Sequence, residues 1–157
     1  MYRGRYLNSS QSCSAVFETR ELIPEFNCGK DEFDEMAIYA LAFDESDFPV
    51  GTGRLRIDSD SHFRIDYLGV LPEQRHRFIG DLLARMLLYK AQELHAASVY
   101  ALVPISTMRF FARYGFKPLL KNTDQCQMYV ESDKIILEGS CSRSSKQPCN
   151  GDCSLCK

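Results

Sequence analysis

Between residues 63 and 103 the apolar pattern changes twice, and nothing else in the chain restricts the fold as much. Residues 63–71 form a dense strand-like run that Pro72 and Glu73 end. Over residues 78–95 the pattern turns helical, with Ile79, Leu82, Leu83, Met86, Leu87, Ala91 and Leu94 recurring at three and four. Residues 98–103 return to a short apolar strand. Two strands joined through such a helix pair in parallel by a right-handed crossover.

The flanking segments read differently. Residues 2–7 are a weakly signalled first strand. Ser9 or Ser10 caps a helix over residues 11–22, with Val16, Phe17, Leu22 and Ile23 on its apolar side, and Pro24 stops it. Residues 27–35 form an acidic loop, read either as solvated or as an attractor for a cationic amine. Residues 36–43 and 50–58 form a hairpin about the turn at 44–49. The second arm alternates, with Thr52, Arg54, Arg56 and Asp58 on one face and Gly53, Leu55 and Ile57 on the other. A helix over 106–114 ends at Gly115, a natural left-handed cap, residues 118–124 read as a loop, and 125–131 are a further strand. The fold class is therefore mixed α/β, with antiparallel strands and one parallel crossover.

Composition narrows the function. A chain of 157 residues is one domain's worth, and 45% hydrophobic residues suffice for a core. Nineteen Lys and Arg against 21 Asp and Glu argue against a nucleic-acid partner, which needs a basic surplus. The longest apolar run, 36–43, is too short to span a bilayer, and no apolar leader follows the N-terminus. A soluble cytoplasmic protein is expected, with no membrane partner. Seven cysteines, an odd number without a leader, argue against a secreted disulfide framework. Four of them, Cys141, Cys149, Cys153 and Cys156, fall in a polar tail, so the chain divides into a domain at 1–132 and a Cys-rich extension at 133–157. A structural zinc site built from these four thiolates, disulfides and a loose thiol-rich tail all stay open for it.

The chemistry points to residues 66–80. A strand containing Gly69 runs into a basic turn that opens the long helix. Glycine within a strand marks a bulge or a close approach by a ligand. The first helix amides lack intrahelical partners and carry the positive end of the dipole, with Arg75 and Arg77 beside them. Two readings follow: a phosphate site, or a βα turn with solvated arginines. Asp66 has two readings as well, a general base or a partner of Arg54 or Arg56 across the strands. Ser106 and Thr107 start a helix, and His62 and His95 need no catalytic role.

The run Leu68-Gly69-Val70-x-Pro72-Glu73-x-Arg75-x-Arg77-x-Ile79-Gly80-x-x-Leu83 resembles motif A of the GNAT N-acetyltransferase superfamily. Phe110-Phe111-Ala112-Arg113-Tyr114-Gly115-Phe116 resembles its closing helix and terminal Gly-Phe. Val16-Phe17, the acidic 31–35 loop and Val50-Gly51-Thr52-Gly53-Arg54-Leu55-Arg56 resemble a small bacterial branch that shares motifs with acyl-homoserine-lactone synthases. The resemblance spans about residues 2–130. It implies a mostly antiparallel sheet with helices on both faces and a splayed central strand pair. It implies acetyl-CoA as co-substrate, with the pantetheine arm along Leu68, Gly69 and Val70 and the pyrophosphate on the amides of Arg75, His76, Arg77, Phe78, Ile79 and Gly80. The acyl group would pass to a primary amine of a small-molecule or amino-acid-like acceptor, with Asp66 as base. Two departures stand out: the family carries glycines at the positions of His76 and Phe78, and a proton-donating tyrosine at that of Phe111, leaving Tyr114 as the substitute acid. A non-catalytic acyl-CoA-binding module and a lactone-synthase-like acyltransferase are the alternatives. An exposed strand edge near the C-terminus leaves a homodimer open.

Overall fold

The computed structural model describes residues 1–9, 11, 13–26 and 30–138. Alternation along β2 (Ile38–Phe43) explains the layering. Ala40 and Ala42 face one side of the sheet and join the core of α2 (Ile79–Glu93), while Tyr39 and Leu41 face the other and meet Val16 of α1 (Ser14–Glu21). The helices thus cover opposite faces.

Among the described residues seven strands form one sheet. β1 (Arg3–Asn8), β2, β3 (Pro49–Ser59) and β4 (His62–Val70) pair antiparallel in sequence order. The α2 crossover then places β5 (Ser98–Pro104) parallel to β4. After α3 (Met108–Ala112) the chain forms β6 (Lys117–Lys121) and β7 (Gln125–Glu131), and β7 inserts between β5 and β6. The mixed α/β class, the parallel crossover and the helices on both faces are as the sequence indicates.

Several local expectations change. Residues 118–124 are no simple loop, since β6 begins at Lys117. Every residue of β6 is exposed, so no alternation betrays it, and Pro118 is tolerated because the strand is an edge. The first helix starts at Ser14 behind Cys13, with no side-chain cap, so neither Ser9 nor Ser10 starts it. The last helix is one turn of α3 preceded by a 3-10 turn at Ile105–Thr107. The part of the acidic loop at 31–35 is structured: Asp31 and Asp34 form a capping box around a 3-10 turn at Glu32–Met36. The four tail cysteines and Cys28 lie outside the described residues.

Gly115 has φ +97, and a Cβ there would fall against the Lys134 carbonyl oxygen. Gly115→Ala meets both a backbone penalty and an immovable neighbour. A loss of about 2 kcal/mol is expected in urea unfolding.

Candidate active site

β4 and β5 pair only from His62 with Ser98 to Ile65 with Ala101. Beyond that point each strand keeps its outer neighbour: Gly69 opposes Thr52 on β3, and Leu102 opposes Gln127 on β7. The inner edges part. A cavity of about 570 Å³ opens there, lined by Asp66 to Val70 on one side and Ala101 to Pro104 on the other. Facing strand edges that do not pair leave backbone donors and acceptors for a ligand.

A bulge helps to open the gap. Between the Arg54–Asp66 and Thr52–Gly69 pairs, Gly53 alone opposes Tyr67 and Leu68. The left-handed residue is Tyr67, φ +49, and not Gly69. The Tyr67 ring sits 4.3 Å from the Arg20 guanidinium and 4.9 Å from that of Arg54, which holds this conformation. Gly69 is needed for another reason: a Cβ would come 2.6 Å from Cζ of Phe26, whose ring packs edge-on against Tyr67 at 5.4 Å.

At the mouth, His76 and Phe78 both take φ +62. The two positions where the family carries glycine thus keep a backbone that glycine favours, although each side chain costs ~1–2 kcal/mol there. Phe78 is 67% exposed and does not plug the gap. Gly80 follows in the first turn of α2, where a Cβ would lie 3.6 Å from the Phe110 ring. Arg75 bonds the Val70 carbonyl through Nε (3.1 Å) and Glu25 through Nη2 (2.7 Å), and this bond lowers the Glu25 carboxyl below its usual range. Arg77 donates to the Tyr2 hydroxyl (3.2 Å) and Gln74. Leu68, Gly69, Val70, Arg75, His76, Phe78, Ile79 and Gly80 all line the cavity.

Asp66 lines it too. Its Oδ2 accepts from Arg54 Nη2 (2.8 Å) and Arg56 Nε (2.5 Å), so the cross-strand pairing exists. Behind it, Arg54 reaches Asp31 (2.5 Å) and Asp34 (3.1 Å), and Arg20 holds Asp34 in a two-pronged pair at 3.0 and 3.2 Å. Arg20, Arg54 and Asp34 are each at most 2% exposed. Burial works to raise the Asp34 carboxyl, but bonds from Arg20, the Asp31 amide and Tyr39 outweigh it and hold the group well below the usual carboxylate range. Within the acidic segment Asp34 is thus neither solvated nor free to attract an amine, since buried arginines consume it, whereas Glu32 and Glu35 are exposed to solvent.

Tyr114 is buried and does not line the cavity. Its hydroxyl donates to Asp81, whose other oxygen accepts from Arg85 Nε at 2.9 Å. Burial, then the bond to Asp81, raises its pKa. Phe110 and Phe111 line the cavity instead, and the Tyr114 hydroxyl meets it only through Asp81, which does line it.

Sequence reasoning missed Phe26, Glu25 and Arg113 as cavity residues and Arg20 with Asp34 as its buried support. Only the acidic spacing of 31 and 34 offered a signal.

A sheet opened between two parallel strands, with a helix start at its mouth, leaves an open gap that ends at unpaired helix amides. The chain belongs to the Acetyltransferase (GNAT) family, whose model matches residues 6–116. Members of that family take an acyl-CoA as co-substrate. Similar solved structures include Escherichia coli ElaA, with 21% identity and a TM-score of 0.70 over 83% of this chain and 100% of that one. An acyl-CoA N-acyltransferase from Pseudomonas aeruginosa shares 15% identity and a TM-score of 0.71 over 82% and 99%. The ribosomal-protein-S18-alanine N-acetyltransferase of Escherichia coli shares 13% identity and a TM-score of 0.66 over 83% and 94%. At such identities the likeness is one of fold. Among the described residues no helix is long and apolar enough to cross a membrane.

Proposed function

We propose that the chain is an N-acetyltransferase that moves an acetyl group from acetyl-CoA to a primary amine of a small-molecule or amino-acid-like acceptor. The observation that carries this reading is the unplugged splay between β4 and β5, which leads to a helix start whose loop keeps left-handed geometry without glycine. At about 570 Å³ the cavity is in the range of small-molecule sites.

Acetyl-CoA supplies an acyl group activated as a thioester. The chain's backbone groups at Leu68, Gly69 and Val70 pair with the amides of the pantetheine arm. The unpaired amides at the start of α2 hold the diphosphate; Arg77 lies outside the cavity lining, bonded to Tyr2 and Gln74, and joins them only on leaving these partners. Arg75 joins them only on leaving Glu25. At the acceptor end Asp66 offers a carboxylate and Phe26 an aromatic ring, a combination suited to an ammonium group. Both hydrogen bonds to Asp66 fall on Oδ2, and Oδ1 takes the acceptor's proton directly or through a water. The freed nitrogen bonds the acyl carbon as the carbon–sulfur bond breaks, CoA leaves as the thiolate, and the second proton of the nitrogen passes to that thiolate through solvent. A thiolate is a tolerable leaving group, so the reaction proceeds without an acid at Phe111.

Titration calorimetry with acetyl-CoA tests the site: saturable binding is expected, and no heat at millimolar ligand overturns it. Phe111 and the engaged Tyr114 favour a second reading, a non-catalytic acyl-CoA-binding module. Thiol release across a panel of primary amines separates the two, since clear turnover removes the module.

A further inference from the structure

At the cavity one aromatic side chain lacks a ring or cation partner and one cation lacks a carboxylate, among the described residues. Phe78 is 67% exposed although it lines the cavity, and it takes part in no ring or cation contact among the described residues. The neighbouring aromatics differ: Phe110, Phe111, Tyr114 and Phe116 pack edge to face on one another at 5.3 to 5.4 Å. Arg113 also lines the cavity, and no described carboxylate pairs with it, whereas Arg75 has Glu25 and Arg85 has Asp81. Its guanidinium lies over the Phe110 ring at 5.1 Å, and that ring lies against Gly80, two residues beyond Phe78. An unused flat ring and an uncompensated cation thus flank one helix start.

Resting on the acyl-CoA reading, we propose that these residues read the nucleotide end of the co-substrate: Phe78 stacks on the adenine, and Arg113 pairs with the 3′-phosphate. The chemistry matches group for group. Every base offers a π-face to an aromatic platform. A phosphomonoester carries up to two negative charges and bonds a guanidinium through two parallel N–H groups. A bound adenine also covers the apolar surface that Phe78 otherwise leaves in water. The side chain at position 78 therefore adds a contact that a glycine there lacks.

Calorimetric titration of three ligands tests the assignment: CoA, dephospho-CoA without the 3′-phosphate, and 4′-phosphopantetheine without the nucleotide. Phe78→Gly places at φ +62 the residue that best tolerates it, so the loop is retained. It is expected to weaken CoA and dephospho-CoA about tenfold, at the low end of base–aromatic stacking, and to leave phosphopantetheine within about twofold. Phe78→Leu keeps an apolar side chain without a flat face and is expected to show the same selective loss. Arg113→Gln is expected to weaken CoA about tenfold and dephospho-CoA hardly at all. Equal losses for all three ligands, or no loss for CoA, in Phe78→Gly overturn the stacking role. Equal losses for CoA and dephospho-CoA in Arg113→Gln overturn the phosphate role. A wild-type protein that binds none of the three overturns instead the acyl-CoA site on which both rest.

Discussion

Asp34→Asn is expected to cost roughly 3–5 kcal/mol of folding stability, the usual consequence of breaking a buried ion pair from one side. The asparagine keeps the shape but removes the charge, leaving Arg20 and Arg54 buried with less compensation. Its amide nitrogen would also present a donor to a site filled with donors, since Asp34 accepts from Arg20, Arg54, Tyr39 and the Asp31 amide. Urea unfolding at pH 7 checks the figure; a loss below about 1 kcal/mol would show that solvent screens the cluster as it does a surface pair. The pH dependence has a definite sign. The folded carboxyl titrates well below the ordinary value of about 3.9, so its contribution is complete above that value and is lost as the pH falls further toward the folded value. The stability gap between wild type and Asp34→Asn should be flat from pH 5 to 8 and shrink below about pH 4.

Asp66→Asn is expected to lower kcat by about 10²–10⁴-fold with CoA affinity retained, the range for loss of a general base. Fold and bulge should survive, because Arg54 keeps Asp31 and Asp34 when Asp66 is neutralised. Steady-state kinetics with an active amine, beside calorimetry with CoA, supplies both readings. Unchanged kcat with reduced stability would mean that the carboxylate serves only to pair Arg54 and Arg56 across the strands.

Much of the scaffold was legible because it is local. The strands at 63–71 and 98–103 declare themselves as apolar runs and the helix at 78–95 through a period of three to four, and these three elements force the parallel pair whose splay forms the cavity. β6 was illegible for the converse reason: an edge strand exposed throughout has no buried face to announce it. Asp66 could be singled out on its strand, but the support behind it could not. Arg20, Asp34 and Arg54 come from a helix, a 3-10 turn and a strand, and no local pattern says that their charges meet out of water.

The same division holds at the mouth of the cavity. By itself the order of residues determined the crossover, the run from Leu68 to Gly80 and the departures at His76, Phe78 and Phe111. Only the folded chain decided that positions 76 and 78 keep left-handed backbone without glycine, that Tyr114 turns to Asp81, and that Phe26 and Glu25 close on the site. Patterning reports which face of an element leaves water, a property of neighbours along the chain. Torsion at a tight loop and the partner of a buried charge depend on groups brought together from distant segments, and these exist only once the sheet has formed.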